Sequence, residues 1–140
     1  ARLFDGFRER AEQVEKLLRS PSTLFVLVAG PGVEKIPDAL FFARGLRDAG
    51  YTLGPMVINR MHPRIEAHER EGEGEVGQVD GMDLFHWLGD RDARGFEELG
   101  QLVGQDHPVV GLPLLESEPS DVETLRQLAS EFEDRLQEAE

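Results

Sequence analysis

The chain contains no cysteine. That excludes a disulfide framework, thiolate metal sites and cysteine nucleophiles, and it suits a reducing cytosol, so a cytoplasmic location is expected. Basic residues are few: 15 Lys and Arg against 28 Asp and Glu leave a formal net charge of −13. Such a surface is repelled by phosphate backbones and anionic membranes, which argues against a nucleic-acid partner. No apolar run approaches the length of a membrane span, so direct membrane insertion is not expected, and no signal peptide opens the sequence. A Walker A loop is also missing: nowhere do two glycines flank four residues ahead of a Lys and a Ser or Thr. Without one, the chain has no cradle of its own for nucleotide phosphates.

What is present is one domain's worth of sequence. The 140 residues are 39% hydrophobic and 31% charged, a globular composition able to bury a core. Ala1-Arg2-Leu3-Phe4 already reads as helix interior, so the sequence is expected to begin inside a longer chain.

Leu3, Phe4, Phe7, Ala11, Val14, Leu17 and Leu18 recur at helical spacing, and Ser20-Pro21-Ser22 ends that helix. Thr23 to Ala29 is apolar on both faces and partly β-branched, as a buried parallel strand is. A helix from about Pro37 to Ala49 follows, with proline in its first turn and Gly50 just past its end. Leu53 to Asn59 reads as a second strand, which completes a βαβ unit. Arg64 to Arg70 suggests a short helix, and the acidic, glycine-rich Glu71 to Glu75 a loop. Met82 to Val103 is expected as two short helices broken near Gly89 and Gly95. Pro108 to Leu112 is a third strand. A last helix opens on the capping box Ser120-Asp121-Val122-Glu123 and buries Val122, Leu125, Leu128, Ala129, Phe132 and Leu136. The expectation is therefore an α/β, three-layer Rossmann-like domain, with a partial parallel sheet of about three strands flanked by helices. It is a single unit over residues 1–140, with a variable helical and acidic insertion at about 64–105.

Ligands of such folds bind at the carboxyl ends of the strands. Gly30-Pro31-Gly32 after the first strand reads as an ordinary turn, because Pro31 removes an amide that a phosphate cradle would need. Asn59-Arg60 closes the second strand. An asparagine amide pairs one donor with one acceptor, the geometry that grips N6 and N7 of adenine. From spacing alone, the simpler reading is a side chain satisfying loop backbone groups. Pro113 to Ser120 after the third strand is stiffened by two prolines and could wall a flat base pocket, or merely connect strand to helix. His62 and His68 lie near Glu66 and Glu69, but nothing places them on one face, and no metal site is expected. Trp87, with Phe85 and Leu88, reads as helix core or interface. Ser117 and Ser120 have no neighbouring histidine to serve as base. Ala29-Gly30 lacks the strand-end acid that a receiver domain needs.

Three stretches together resemble the C-terminal part of the anion-transporting ATPase family. The first is Leu24-Phe25-Val26-Leu27-Val28 with its helix Ala39 to Leu46. The second is Leu53-Gly54-Pro55-Met56-Val57-Ile58-Asn59-Arg60 with His62-Pro63. The third is Val109-Val110-Gly111-Leu112-Pro113, leading through Glu116 and Glu118 to Asp121-Val122-Glu123-Thr124-Leu125. That family includes the arsenical-pump-driving ATPases and the ATPases that target tail-anchored membrane proteins. The likeness spans most of residues 7 to 136 and is weak across Arg64 to Gln105. Its Asn-Arg signature is shared with other deviant-Walker ATPases.

The resemblance implies that Asn59 reads the adenine of ATP, that Arg60 is its basic neighbour, and that Pro113, Leu114, Leu115 and Glu116 belong to the loop closing over base and ribose. It implies an N-terminal P-loop portion as partner, supplying Mg²⁺ and γ-phosphate chemistry, and a membrane-protein client or partner for the parent. This chain alone is then not expected to hydrolyse ATP. At Ala29-Gly30-Pro31-Gly32-Val33-Glu34 the sequence departs from the Thr or Ser then Pro-Glu usual in the family. The alternative is a stand-alone, non-catalytic interaction domain of the same fold. Either way, an edge strand left open is expected to favour self-association.

Overall fold

The computed structural model describes residues 2–65, 81–103 and 106–139. In chain order these form α1 (Arg2–Leu18), β1 (Phe25–Ala29), a 3-10 turn (Val33–Lys35), α2 (Ile36–Asp48), β2 (Leu53–Met61), α3 (Gly81–Val103), β3 (Val109–Pro113) and α4 (Val122–Ala139). The strands make one parallel sheet in the order β1-β2-β3. The expected α/β fold with a three-stranded parallel sheet and flanking helices is what the chain adopts. The sequence-expected helix at Arg64 to Arg70 and the loop at Glu71 to Glu75 fall wholly or mostly outside the described residues.

Alternation along the strands separates two cores. Met56, Ile58 and Val109 face Ile36 and Ala39 of α2 and Leu99 of α3. Val57, Val110 and Leu112 face the other way, onto Leu128, Phe132 and Leu136 of α4. Both crossover helices thus cover one face, and α4 alone covers the other. That cover stops short of β1, whose Val26 and Val28 are 46% and 58% exposed. Among the described residues, no helix is long and apolar enough to cross a membrane.

β2 is the central strand yet contains Pro55, which has no N–H for the ladder. The register resolves this. Between Phe25↔Leu53 and Leu27↔Met56, β2 carries one residue more than β1, so a bulge accommodates the proline. α2 ends as expected: Gly50, at φ 77°, reverses the chain, and its N–H donates to the Arg47 carbonyl at 2.9 Å. Arg19, just after α1, donates to the carbonyl of Ala49 and stands 5.2 Å from the Tyr51 ring centroid, which ties the two helix ends together.

Three expectations are corrected. Met82 to Val103 is not two helices but part of the single 23-residue α3. Its buried residues are Gly89, Asp92, Gly95 and Leu99, one face at spacings of three and four. The glycines are close-approach points rather than breaks. A Cβ on Gly89 would collide with the Pro63 carbonyl oxygen, and one on Gly95 would stand 2.8 Å from the Gly32 carbonyl carbon. α3 is the crossover between the parallel strands β2 and β3, and it supplies Leu99 to the core.

The second correction concerns the α4 cap, which is Asp121 rather than a Ser120–Glu123 box. The Asp121 carboxylate accepts the Thr124 N–H at 2.8 Å and the Thr124 hydroxyl at 2.9 Å, while Ser120 sits one residue too early to reach that turn. The Thr124 backbone N–H is the main reason the Asp121 carboxyl lies below its ordinary range. Third, Val122, Leu125 and Ala129 are exposed, because α4 meets the sheet only through Leu128, Phe132 and Leu136.

Candidate functional site

The carboxyl end of β2 is irregular in a way that aims side chains. Ile58 pairs with Gly111 and Met61 with Pro113, so Asn59 and Arg60 on β2 stand opposite Leu112 alone on β3. A bulge of this kind bends the strand and leaves the extra residue unpaired. Arg60 takes φ 65°, the left-handed region, which costs a residue with a Cβ about 1–2 kcal/mol. Beyond the bulge the ladder resumes with the Leu114 N–H donating to the Met61 carbonyl at 2.7 Å.

The bulge opens onto a cavity of 180 Å³ between the β2 end, the loop after β3 and α4. Asn59, Arg60, Pro113, Leu114 and Leu115 line it, so five residues singled out in the sequence meet in one place. Glu116, the sixth, is exposed and does not line it; Glu118 does, with Ser117 beside it. The cavity is smaller than pockets for drug-sized ligands, and its scale is that of one flat ring system. Apolar walls come from Pro113, Leu114, Leu115, Pro119 and Leu128. Polar groups come from Asn59, Arg60, Ser117 and Glu118.

The Asn59 side-chain amide makes no hydrogen bond to any described residue, although the residue is half-buried. The reading in which it satisfies loop backbone groups therefore has no hydrogen bond behind it among those residues. Its donor and acceptor both remain available to a ligand. The Arg60 guanidinium is exposed and likewise forms no ion pair within the described residues.

The other strand ends offer less. At Gly30-Pro31-Gly32 the free space is 10 Å³, room for a single water at most, because Gly95 of α3 packs on Gly32. That matches an ordinary turn. Trp87 is exposed on α3, with the Arg91 guanidinium 5.4 Å from its ring centroid. His68, Glu66 and Glu69 lie outside the described residues; within those residues no cluster of three metal-ligating side chains exists.

One feature escaped the sequence. Asp92 of α3 is fully buried, with 0% exposure. Its Oδ2 accepts the His62 backbone N–H at 3.0 Å and meets His62 Nδ1 at 2.8 Å, while its Oδ1 accepts Nε and Nη2 of Arg91 at 2.9 and 2.7 Å. With Nδ1 facing a carboxylate, the neutral ring carries its proton there and leaves Nε2 as acceptor. Burial pushes the Asp92 carboxyl up, but the His62 backbone N–H, its ring and the Arg91 guanidinium outweigh this and hold it below the ordinary range.

A carboxyl whose folded pKa is depressed stabilises the fold above its unfolded pKa, and that contribution is lost as pH falls through the folded value. Stability to urea should therefore fall on acidification below about pH 4. Asp92→Asn should flatten part of that fall. An unchanged acid slope in the variant would show that other carboxylates account for it.

Matched against protein-family models and against curated proteins, the chain matches no family model and no curated protein.

Proposed function

We propose that this domain supplies the nucleobase-binding side of an ATP site, as the C-terminal portion of an ATPase of the anion-transporting type. The observation that carries this reading is the amide of Asn59, without a hydrogen-bond partner among the described residues and set on a strained bulge at the mouth of a ring-sized cavity. An amide pairs with the N6 and N7 edge of adenine, while the Pro113–Leu115 wall offers apolar contact to its faces. Phosphates and Mg²⁺ would be held by a P-loop portion that this chain does not contain. The parent would work in the cytoplasm and use hydrolysis to drive a client or membrane partner through a conformational cycle. A second reading, a non-catalytic interaction domain, is favoured by the exposed apolar residues of β1 and α1.

Titration with ADP, followed by calorimetry or NMR, separates the two. Asn59→Ala should weaken binding by about 1–3 kcal/mol, the scale of one lost bidentate base contact. The melting temperature should barely move, because no hydrogen bond to a described residue is lost. Undiminished ADP affinity in the variant, or no ADP binding by the parent chain, would defeat the nucleotide reading.

A further inference from the structure

Arg60 keeps a left-handed backbone without being glycine, and such strain persists only where the surroundings over-determine it. Upstream, the ladder to both neighbouring strands holds Met56 to Ile58. Downstream, the ladder to β3 resumes at Met61, and beyond it the chain is gripped from the side by α3. Asp92 holds His62 twice, through its backbone N–H and its ring. Pro63 abuts Gly89, and Arg64 reaches Asp90 at 3.1 Å and Glu97 at 3.3 Å. Of these ties, Arg64, Asp90 and Glu97 are exposed and contribute little. The Asp92 contact is different. Its carboxylate is excluded from water, braced by Arg91, and directed at the residue two places beyond the strained one.

We propose that Asp92 is a positioning residue for the cavity: acting through His62, it holds the Asn59–Arg60 bulge in the conformation that presents the Asn59 amide. The consequence for ligand rests on the nucleobase reading above; the mechanical role does not. Without the carboxylate, the His62 N–H loses its acceptor, the turn can relax, and Arg60 can leave the left-handed region for extended backbone. That relaxation changes where Asn59 points. Through the same contact, the placement of α3 bears on the cavity, although α3 does not line it.

Asp92→Asn is the decisive variant, because it keeps the volume while presenting an amide NH₂ either to Arg91 or to His62, both of which donate. NMR of the free 140-residue chain reads Arg60 φ from its N–H to Hα coupling, and Asn59 from its side-chain NH₂ resonances. In the variant both should change, and ADP binding should weaken about five- to twentyfold, within the range of coupled neighbouring residues. Added to Asn59→Ala, Asp92→Asn should cost ADP affinity almost nothing further. If Arg60 stays at positive φ and the Asn59 resonances are unmoved while the melting temperature falls, Asp92 is only structural and the proposal is overturned. If the bulge responds but neither the parent nor the variant binds ADP, the positioning role stands and the nucleobase reading fails. Should Asp92→Asn unfold the chain, Asp92→Ser, which withdraws the carboxylate from both His62 contacts and leaves no buried charge, gives the same readouts. An unmoved bulge there overturns the proposal equally.

Discussion

Gly89→Ala and Gly95→Ala should each destabilise the domain by about 2 kcal/mol, whereas Gly100→Ala in the same helix should stabilise it by about 0.5–1 kcal/mol. Helix propensity alone favours alanine over glycine at every interior position, by nearly 1 kcal/mol. The sign is therefore decided by what the new methyl group meets. At Gly100 it meets nothing within 4 Å. At Gly95 it meets the Gly32 carbonyl carbon at 2.8 Å and its Cα and N at 3.0 Å, all backbone.

These are backbone atoms, which cannot swing aside as the far end of a flexible side chain can. At Gly89 the obstacle is the Pro63 carbonyl, which the adjoining Asp92 contact holds in place. Overpacking of this kind costs about 1–3 kcal/mol and outweighs the propensity gain. In thermal melts the two buried variants should fall by roughly 3–6 °C per kcal/mol lost, and Gly100→Ala should rise. Stabilisation at all three positions would mean that α3 does not seat on the strand ends as described.

The same glycines show where the sequence stopped being legible. The strands were readable because Thr23 to Ala29, Leu53 to Asn59 and Pro108 to Leu112 are short apolar runs bounded by turn residues, and their alternation with helices admits few topologies. Asn59 could be singled out because open α/β sheets bind at strand ends. A glycine inside a helical pattern has two opposite meanings, a break or a close approach, and the difference lies in a partner far along the chain. Asp92 is hidden for the same reason: a buried carboxylate interrupts the apolar period, and its partner His62 is 30 residues away. The signal was nevertheless present. Gly89, Asp92, Gly95 and Leu99 fall on one helical face, and small residues flanking a single acid on a buried face mark a place where backbone comes close.

Self-association that strengthens with salt is the expected behaviour of the isolated chain. β1 is an edge strand, paired with β2 on one side and with no described strand on the other. Its outer face shows Val26 and Val28, and Leu24 ahead of it is also exposed. From Thr23 to Ala29 there is no charge and no proline, the usual guards of such an edge. Neither α1 nor α3 packs along it: α3 crosses the strand ends, and α1 leaves Phe4 and Phe7 82% and 72% exposed.

The net charge of −13 opposes association, and screening weakens that opposition as ionic strength rises. Sedimentation over a concentration series should show the average mass climbing, more steeply at about 0.5 M salt than at about 0.05 M. Val28→Lys separates the edge from general electrostatics. It lowers the magnitude of the net charge, so repulsion alone would predict tighter association. If the edge strand is the contact, a lysine on its exposed face must be desolvated in the complex, and association should weaken by about tenfold or more. A chain that sediments as a monomer at both ionic strengths and at high concentration would dispose of this expectation, because an open, uncharged edge would then have stayed unpaired when a partner was available.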